Sequence, residues 1–386
     1  MNFDEILVIG SHIEIKPFDK ETFLLVNNNS EKYLRINKNF NDIINLIDGK
    51  KRVKDVITEF NKSASKPITE EAGISIFRKL NDIGLFSEVP YTKKKLPDYI
   101  SLGFIFFPKK WVGNIVPYLK FLFNKKVIFF SLIFCIIFLI YLSVKSFSNN
   151  QRFNFLQILP FYFLISFIST IFHELGHATA AHYYKSKHGG IGFGFYFYFM
   201  PVFFADVTDI WKLNKWKRIV VNVAGVYFEV LFCGVLAVLS FIFHNNDLLA
   251  IVSFLSLRTL YNLLPYFRTD GYWILSDYVN QPNLLQTSFI KAKQLALLKF
   301  KIFKIKDFFL AFYGIFNFGL MIYFIGFMLF FYFSEIISFP KKIFLFVINI
   351  KEESFIWSLK EVSLLFPVLL FYLIIIRFLM SFNKSK

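Results

Sequence analysis

The chain has 386 residues, of which 55% are hydrophobic and 21% aromatic, including 56 Phe. With 18% charged residues it cannot cover that much apolar surface as an ordinary soluble domain, so a membrane protein is the first reading. The 44 Lys and Arg against 27 Asp and Glu give a formal net charge of +17, which on a membrane protein marks cytoplasmic loops facing anionic lipid and not a nucleic-acid partner.

The first residues, MNFDEILVIGSHIEIKPFDK, carry acids and no basic stretch ahead of an apolar core, so no cleavable signal peptide is expected and the N-terminus is placed in the cytoplasm. Ile13 and Ile15, then 23–26 and 33–36, read as short strands separated by the turn-rich DK and NNNSE segments. Three helical patterns follow. One runs over 40–47 and stops at Asp48–Gly49, one places Val53, Val56, Ile57 and Phe60 on a single face, and one aligns Ile76, Leu80 and Ile83 before Gly84. Residues 1–90 are therefore expected to form a small α+β, winged-helix-like domain. PYTKKKLPDY opens a linker and interfacial segment over 91–126.

From residue 127 to 386 the chain reads as an α-helical polytopic membrane domain. Six apolar stretches near 127–147, 155–180, 219–243, 247–267, 307–334 and 362–380 are each about 20 residues, the length that spans a bilayer. Loops 185–218 and 268–306 are rich in Lys and Arg, which puts both termini in the cytoplasm of a multi-pass cell-membrane protein. Segment 335–360, with four Lys, falls outside in that scheme and conflicts with it. Cys135 and Cys233 lie within apolar runs and read as small core residues, not as a disulfide or a metal pair.

The chemistry is carried by IFHELGHATAAHYY at the cytoplasmic end of the second stretch. His173 and His177 stand four apart, so both imidazoles project from one helical face and can grip one zinc ion. Glu174 points to the neighbouring face, where a carboxylate can take a proton from an attacking water and pass it to the leaving amine. An HExxH can arise by chance on a soluble helix, but in an apolar span each unliganded ionisable group costs a few kcal/mol, and a metal offsets that cost. A catalytic zinc needs a third protein ligand and an open position. The metzincin extension fails, since Ala180 and Tyr183 occupy its Gly and His positions. Asp270, in NLLPYFRTDGYW at the end of the fourth stretch, is the better candidate, with an Asp–Gly turn capping a helix as the alternative.

His173, Glu174 and His177, followed by Asn262, Pro265, Asp270 and Gly271, resemble the HExxH and NxxP…DG motifs of the site-2 protease family. GGIGFGFYFYFMPVFFADVTDIWKLNKWKR and DGYWILSDYVNQPNL resemble the matching stretches of bacterial peptide zinc metalloproteases of that kind, so the likeness covers roughly 155–290. The resemblance implies Zn2+ as cofactor, Asp270 as third ligand, and Asn262, Pro265 and Gly271 as candidates for positioning substrate or backbone; for Asn262 a bridge between helices is the alternative. Gly192 and Gly194 alternate with Ile191, Phe193 and Phe195, the period of a re-entrant β element whose edge could hold an extended substrate, or of a plain hydrophobic hairpin. Glu229 and Arg258 could pair between spans. His12, His182, His188 and His244 read as surface or interface residues, and Asp206 and Asp209 as loop-solvating ones.

LIDGKKRVKDVI and KLNDIGLF, within about residues 10–88, resemble PqqD-like leader-peptide recognition domains. That resemblance implies a leader bound by β-augmentation at strand 33–36, whereas a DNA-binding winged helix would need more basic residues on its second and third helices. The expected function is a zinc metalloendopeptidase that cleaves a precursor peptide during maturation or export of a ribosomally made, modified peptide. A peptide exporter is an expected partner alongside the lipid bilayer. The alternatives are a protease acting on a membrane-anchored regulator and a non-catalytic export scaffold.

Overall fold

A computed structural model of the chain describes residues 5–18, 22–30, 32–63, 67–82, 84–86, 100–148, 155–196, 200–266, 269–299, 303–348 and 367–376. Strands β1 (Ile13–Pro17), β2 (Thr22–Asn27) and β3 (Lys32–Asn37) form an antiparallel sheet in the order β1-β2-β3. The NNNS turn closes because the Asn27 side chain accepts from the amides of Asn29 and Ser30, both at 3.0 Å. Helices α1 (Lys38–Asn45), α2 (Val53–Ser63) and α3 (Glu70–Asp82) follow, and Asn37 caps α1 by accepting from the Phe40 amide. Leu25 and Ile36 of the sheet, Ile43 and Ile44 of α1, Val56 and Phe60 of α2, and Phe77 and Leu80 of α3 are buried together. The three strands and three helices expected from periodicity are therefore present in order. Ile83 and the PYTKKKLPDY linker lie outside the described residues.

The side chains of β3 that face away from this core meet the rest of the same unit. Tyr33 donates to Asp209 at 3.0 Å, and Arg35 donates to Asn280 at 2.7 Å. The guanidinium groups of Arg35 and Arg218 both lie over the Phe18 ring, at 4.8 and 5.0 Å from its centroid.

Strand β4 (Ile100–Phe107) falls in the segment expected to be a linker and instead pairs with β5 (Ile191–Tyr196), which pairs with β6 (Met200–Ala205). The period-two segment is thus a strand in the middle of a three-stranded antiparallel sheet. Between β4 and β5 run α4 (Lys109–Leu119), continued by a 3-10 turn to Phe123, α5 (Lys125–Ser148) and α6 (Phe155–Tyr183). After β6 come α7 (Lys215–Ile242), α8 (Asn246–Asn262) and the short α9 (Asp270–Tyr278). Phe161, Phe163 and Leu164 of α6 and Phe129, Phe130 and Ile137 of α5 are exposed, the apolar surface that lipid would cover.

The chain divides into two units, Met1–Asn280 and Gln281–Lys386. The second contains α10 (Leu284–Ala296), α11 (Ile305–Phe331), α12 (Phe333–Ile348) and a last helix, α13 (Pro367–Ile376), with Met328, Ile336, Phe339, Val368 and Phe371 packed together.

Three described helices, α6, α7 and α11, are long and apolar enough to cross a membrane; α4 and α5, bent by 82° at their junction, make a fourth if they form one span. Six spans were expected. Of the remaining two, α8 has 17 residues and ends at Asn262, because Pro265 cannot continue a helix and disfavours helical backbone before it. Helix α13 has a shorter described extent, Pro367–Ile376.

Candidate metal centre

Helix α6 places His173 and His177 on one face, and both are buried. Their rings point at the start of α9, where Asp270 occupies the first turn. The Nε2 atom of His173 lies 2.8 Å from Asp270 Oδ2, that of His177 lies 3.4 Å from Oδ1, and the two Nε2 atoms are 3.2 Å apart. One donor atom from each of the three residues lies within 4.8 Å of the others.

The outer nitrogens show why these atoms converge. His173 Nδ1 is 3.2 Å from Glu229 Oε2, and His177 Nδ1 is 2.8 Å from the Val221 carbonyl. A carboxylate and a carbonyl can only accept, so each Nδ1 carries a proton, and each Nε2 is left turned inward toward Asp270. With both Nε2 atoms unprotonated, two lone pairs and a carboxylate face one another. A dication resolves that repulsion, and two imidazoles with one carboxylate suit zinc. Tetrahedral ligation at about 2.0–2.1 Å gives donor–donor edges of roughly 3.3 Å, close to those found here.

Helix α7 supplies the opposite wall. A Cβ on Gly225 would come within 2.4 Å of His177 Nε2 and 2.5 Å of His173 Nε2, so only glycine leaves room for the donors. Helix α9 is tied to α7 by buried Arg218, whose Nε donates to Asp277 at 2.6 Å, and by Asn222, which donates to the other oxygen at 2.9 Å. Gly271 follows Asp270 directly; a Cβ there would meet the Leu263 carbonyl at 2.1 Å, so this glycine lets α9 start against the end of α8. Pro265 lies in the turn between those helices, and Asn262 donates to Glu229 Oε2 at 3.5 Å.

Glu174 is buried beside the two histidines and accepts the Ala205 amide at 2.5 Å, so the last residue of β6 abuts this carboxylate. Among the described residues β6 pairs only with β5, leaving its other edge without a strand.

Sequence reasoning brought together His173, Glu174, His177 and Asp270, and anticipated the pairing of Glu229 with Arg258, which the structure contains. It missed that Glu229 also contacts His173 and that Gly225 faces both imidazoles. The one available signal was a carboxylate in an apolar span, which demands partners. Asp209 does more than solvate a loop: besides Tyr33 it takes Ser186, the Lys187 amide and Lys212. His12 is buried and contacts the Gly84 carbonyl, while His182 and His188 line a basic hollow with Lys109 and Lys110. Cys135 and Cys233 are buried and free, as expected.

The donor set and the apolar helices that carry it fit the class of membrane metalloproteases. One relative in that direction is the Bacillus subtilis (strain 168) protein named "Putative peptide zinc metalloprotease protein YydH", 27% identical over 124 residues, which are 32% of this chain and 48% of the relative. The chain thus spans about half the length of the curated relative it matches, and the likeness supports a protease. No family model matches the chain, and no solved structure matches it.

Proposed function

We propose that the chain is a zinc-dependent endopeptidase of the site-2 type, crossing the cell membrane six times with both termini in the cytoplasm. The observation that carries this reading is the convergence of His173, His177 and Asp270 beside Glu174 at the end of a strand, β6, whose outer edge pairs with no strand among the described residues. Zinc held there by the three side chains would polarise a peptide carbonyl and activate a water molecule. A substrate adding to β6 as an extended strand exposes its amide carbons, which a helix would hide. Glu174 takes the proton of the attacking water and returns it to the leaving amine.

The substrate we assign is a precursor peptide with a leader, cleaved during maturation or export of a ribosomally made peptide, with an exporter as a further partner. The β3 edge supports this assignment: among the described residues β3 pairs only with β2, so a leader strand can add there. A membrane-anchored regulator is the second substrate reading, since β6 would accept any extended segment.

Purified protein should hold about one zinc per chain by elemental analysis, as a three-ligand open site requires. Glu174→Gln should keep that zinc and lose cleavage of a precursor by two to four orders of magnitude, roughly the contribution of a general base. Full activity in this variant would remove Glu174 from the mechanism. Absence of zinc from active wild-type protein would remove the mechanism itself.

A further inference from the structure

Glu229 lies at the centre of α7, in an apolar span, and is fully buried. Its two oxygens divide their partners. Oε1 accepts from Ser169 at 3.3 Å, from Arg258 Nε at 3.1 Å and from Arg258 Nη2, while Oε2 faces His173 Nδ1 at 3.2 Å and Asn262 at 3.5 Å. Arg258 is itself anchored on α6 by the Ser166 carbonyl at 3.3 Å, Thr170 at 3.2 Å and Ser169 at 3.0 Å. The carboxylate is therefore held by one oxygen so that the other meets an imidazole. His177 has its Nδ1 satisfied by a backbone carbonyl, so His173 depends on a side chain for the same purpose.

We propose that Glu229 is a positioning residue of the metal centre, fixing His173 in the tautomer and orientation that present Nε2 to the metal, with Arg258 holding the carboxylate in place. The assignment rests on His173 being a zinc ligand. A structural ion pair between α7 and α8 would need only Oε1; the contact of Oε2 with His173 is what such a role leaves unexplained.

The two roles differ in how two substitutions rank. In Glu229→Gln the amide oxygen stays with Arg258, so the NH2 turns toward His173. A donor there forces the Nδ1 atom to accept and moves the proton to Nε2, which blocks ligation. Glu229→Ala leaves a cavity and an unpaired Arg258, but it leaves His173 free to choose its tautomer. Gln should accordingly be the more stable protein and the weaker zinc binder. The experiment uses the full-length chain in detergent, with zinc affinity measured by competition against a chromogenic chelator and stability by thermal unfolding in excess chelator. Glu229→Gln is expected to lose roughly ten- to a hundredfold in zinc affinity, the usual consequence of disturbing an outer partner of a ligating histidine. Glu229→Ala, less stable without metal, should lose less.

If Gln binds zinc as tightly as wild type, or if the affinities merely follow the stabilities with Ala worse in both, Glu229 is only the partner of Arg258 and the proposal is overturned. Should Ala fail to fold, Gln against wild type decides alone: weaker zinc at an unchanged unfolding temperature supports the role, and equal zinc overturns it. Wild-type protein that takes up no zinc overturns both the metal centre and this role. Wild-type protein that binds zinc and cleaves, together with a Gln variant that binds equally, removes only the role of Glu229.

Discussion

Gly225 illustrates how much one missing side chain contributes to a metal centre. Alanine is a better helix former than glycine by about 1 kcal/mol, so on local grounds Gly225→Ala should stabilise α7. The added methyl would press on the tips of two buried imidazoles, which must tilt against their Nδ1 contacts with Glu229 and the Val221 carbonyl to make room. The expected outcome is a protein that still folds and retains well under one zinc per chain by elemental analysis. Normal zinc content would mean that the donors have slack around α7. Asp270 is the other residue whose role depends on a neighbour, since Gly271 lets the helix begin close enough for its carboxylate to reach both Nε2 atoms.

At the level of elements, the 3-10 turn from Thr208 to Lys212 between β6 and α7 ties strand β3 to the sheet and helices around the centre. Burial pushes the Asp209 carboxyl up, but the Lys212 ammonium, the Lys187 amide and the Tyr33 hydroxyl outweigh it and bring the group down to about 2 from its ordinary 3.8. Because the folded value is the lower one, the group stabilises the fold fully above about pH 4, and that contribution is lost as pH falls through 4 toward 2. A shift of this size corresponds to about 2 kcal/mol. Asp209→Asn should therefore lower the unfolding temperature in detergent at pH 6, and the gap from wild type should narrow below pH 4 and nearly close only as the buffer reaches about pH 2. A gap that persists unchanged at low pH would mean that the ionised carboxylate is not what holds the turn.

For the whole molecule, the proposed function would divide selection from cleavage. A cleft that recognises an extended backbone discriminates weakly, with side-chain pockets adding only about 1–3 kcal/mol each. Under the proposed function, an N-terminal domain that holds a leader would supply selectivity by raising the local concentration of the scissile segment to about the millimolar range of short tethers. Deleting residues 1–90 should cripple cleavage of a full precursor and leave slow cutting of a leaderless peptide. A truncated enzyme that processes the precursor at the normal rate would favour the membrane-anchored substrate instead. The topology can be tested separately with single Cys at Lys187 or Lys291 after replacement of Cys135 and Cys233. Both positions should be shielded from impermeant thiol reagents in intact cells, because basic loops stay in the cytoplasm. Labelling without lysis would reverse the orientation.

By itself the sequence determined what rests on local periodicity and composition. The apolar load demands lipid, the i, i+4 spacing puts His173 and His177 on one face, and the strands and helices of residues 13–82 follow from alternation and capping residues close in the chain. Even the reach from HExxH to Asp270 came from resemblance of motifs and not from any local signal. Tertiary structure alone decided that β4, read as a linker, completes the sheet with β5, since ISLGFIFF shows no clean alternation of polar and apolar residues that would announce a partner ninety residues on. It likewise decided that Gly225 and Glu229 flank the histidines. A glycine or a carboxylate within an apolar helix looks the same in sequence whichever way it faces; the packing of α6 against α7 turned both residues toward one pair of imidazoles.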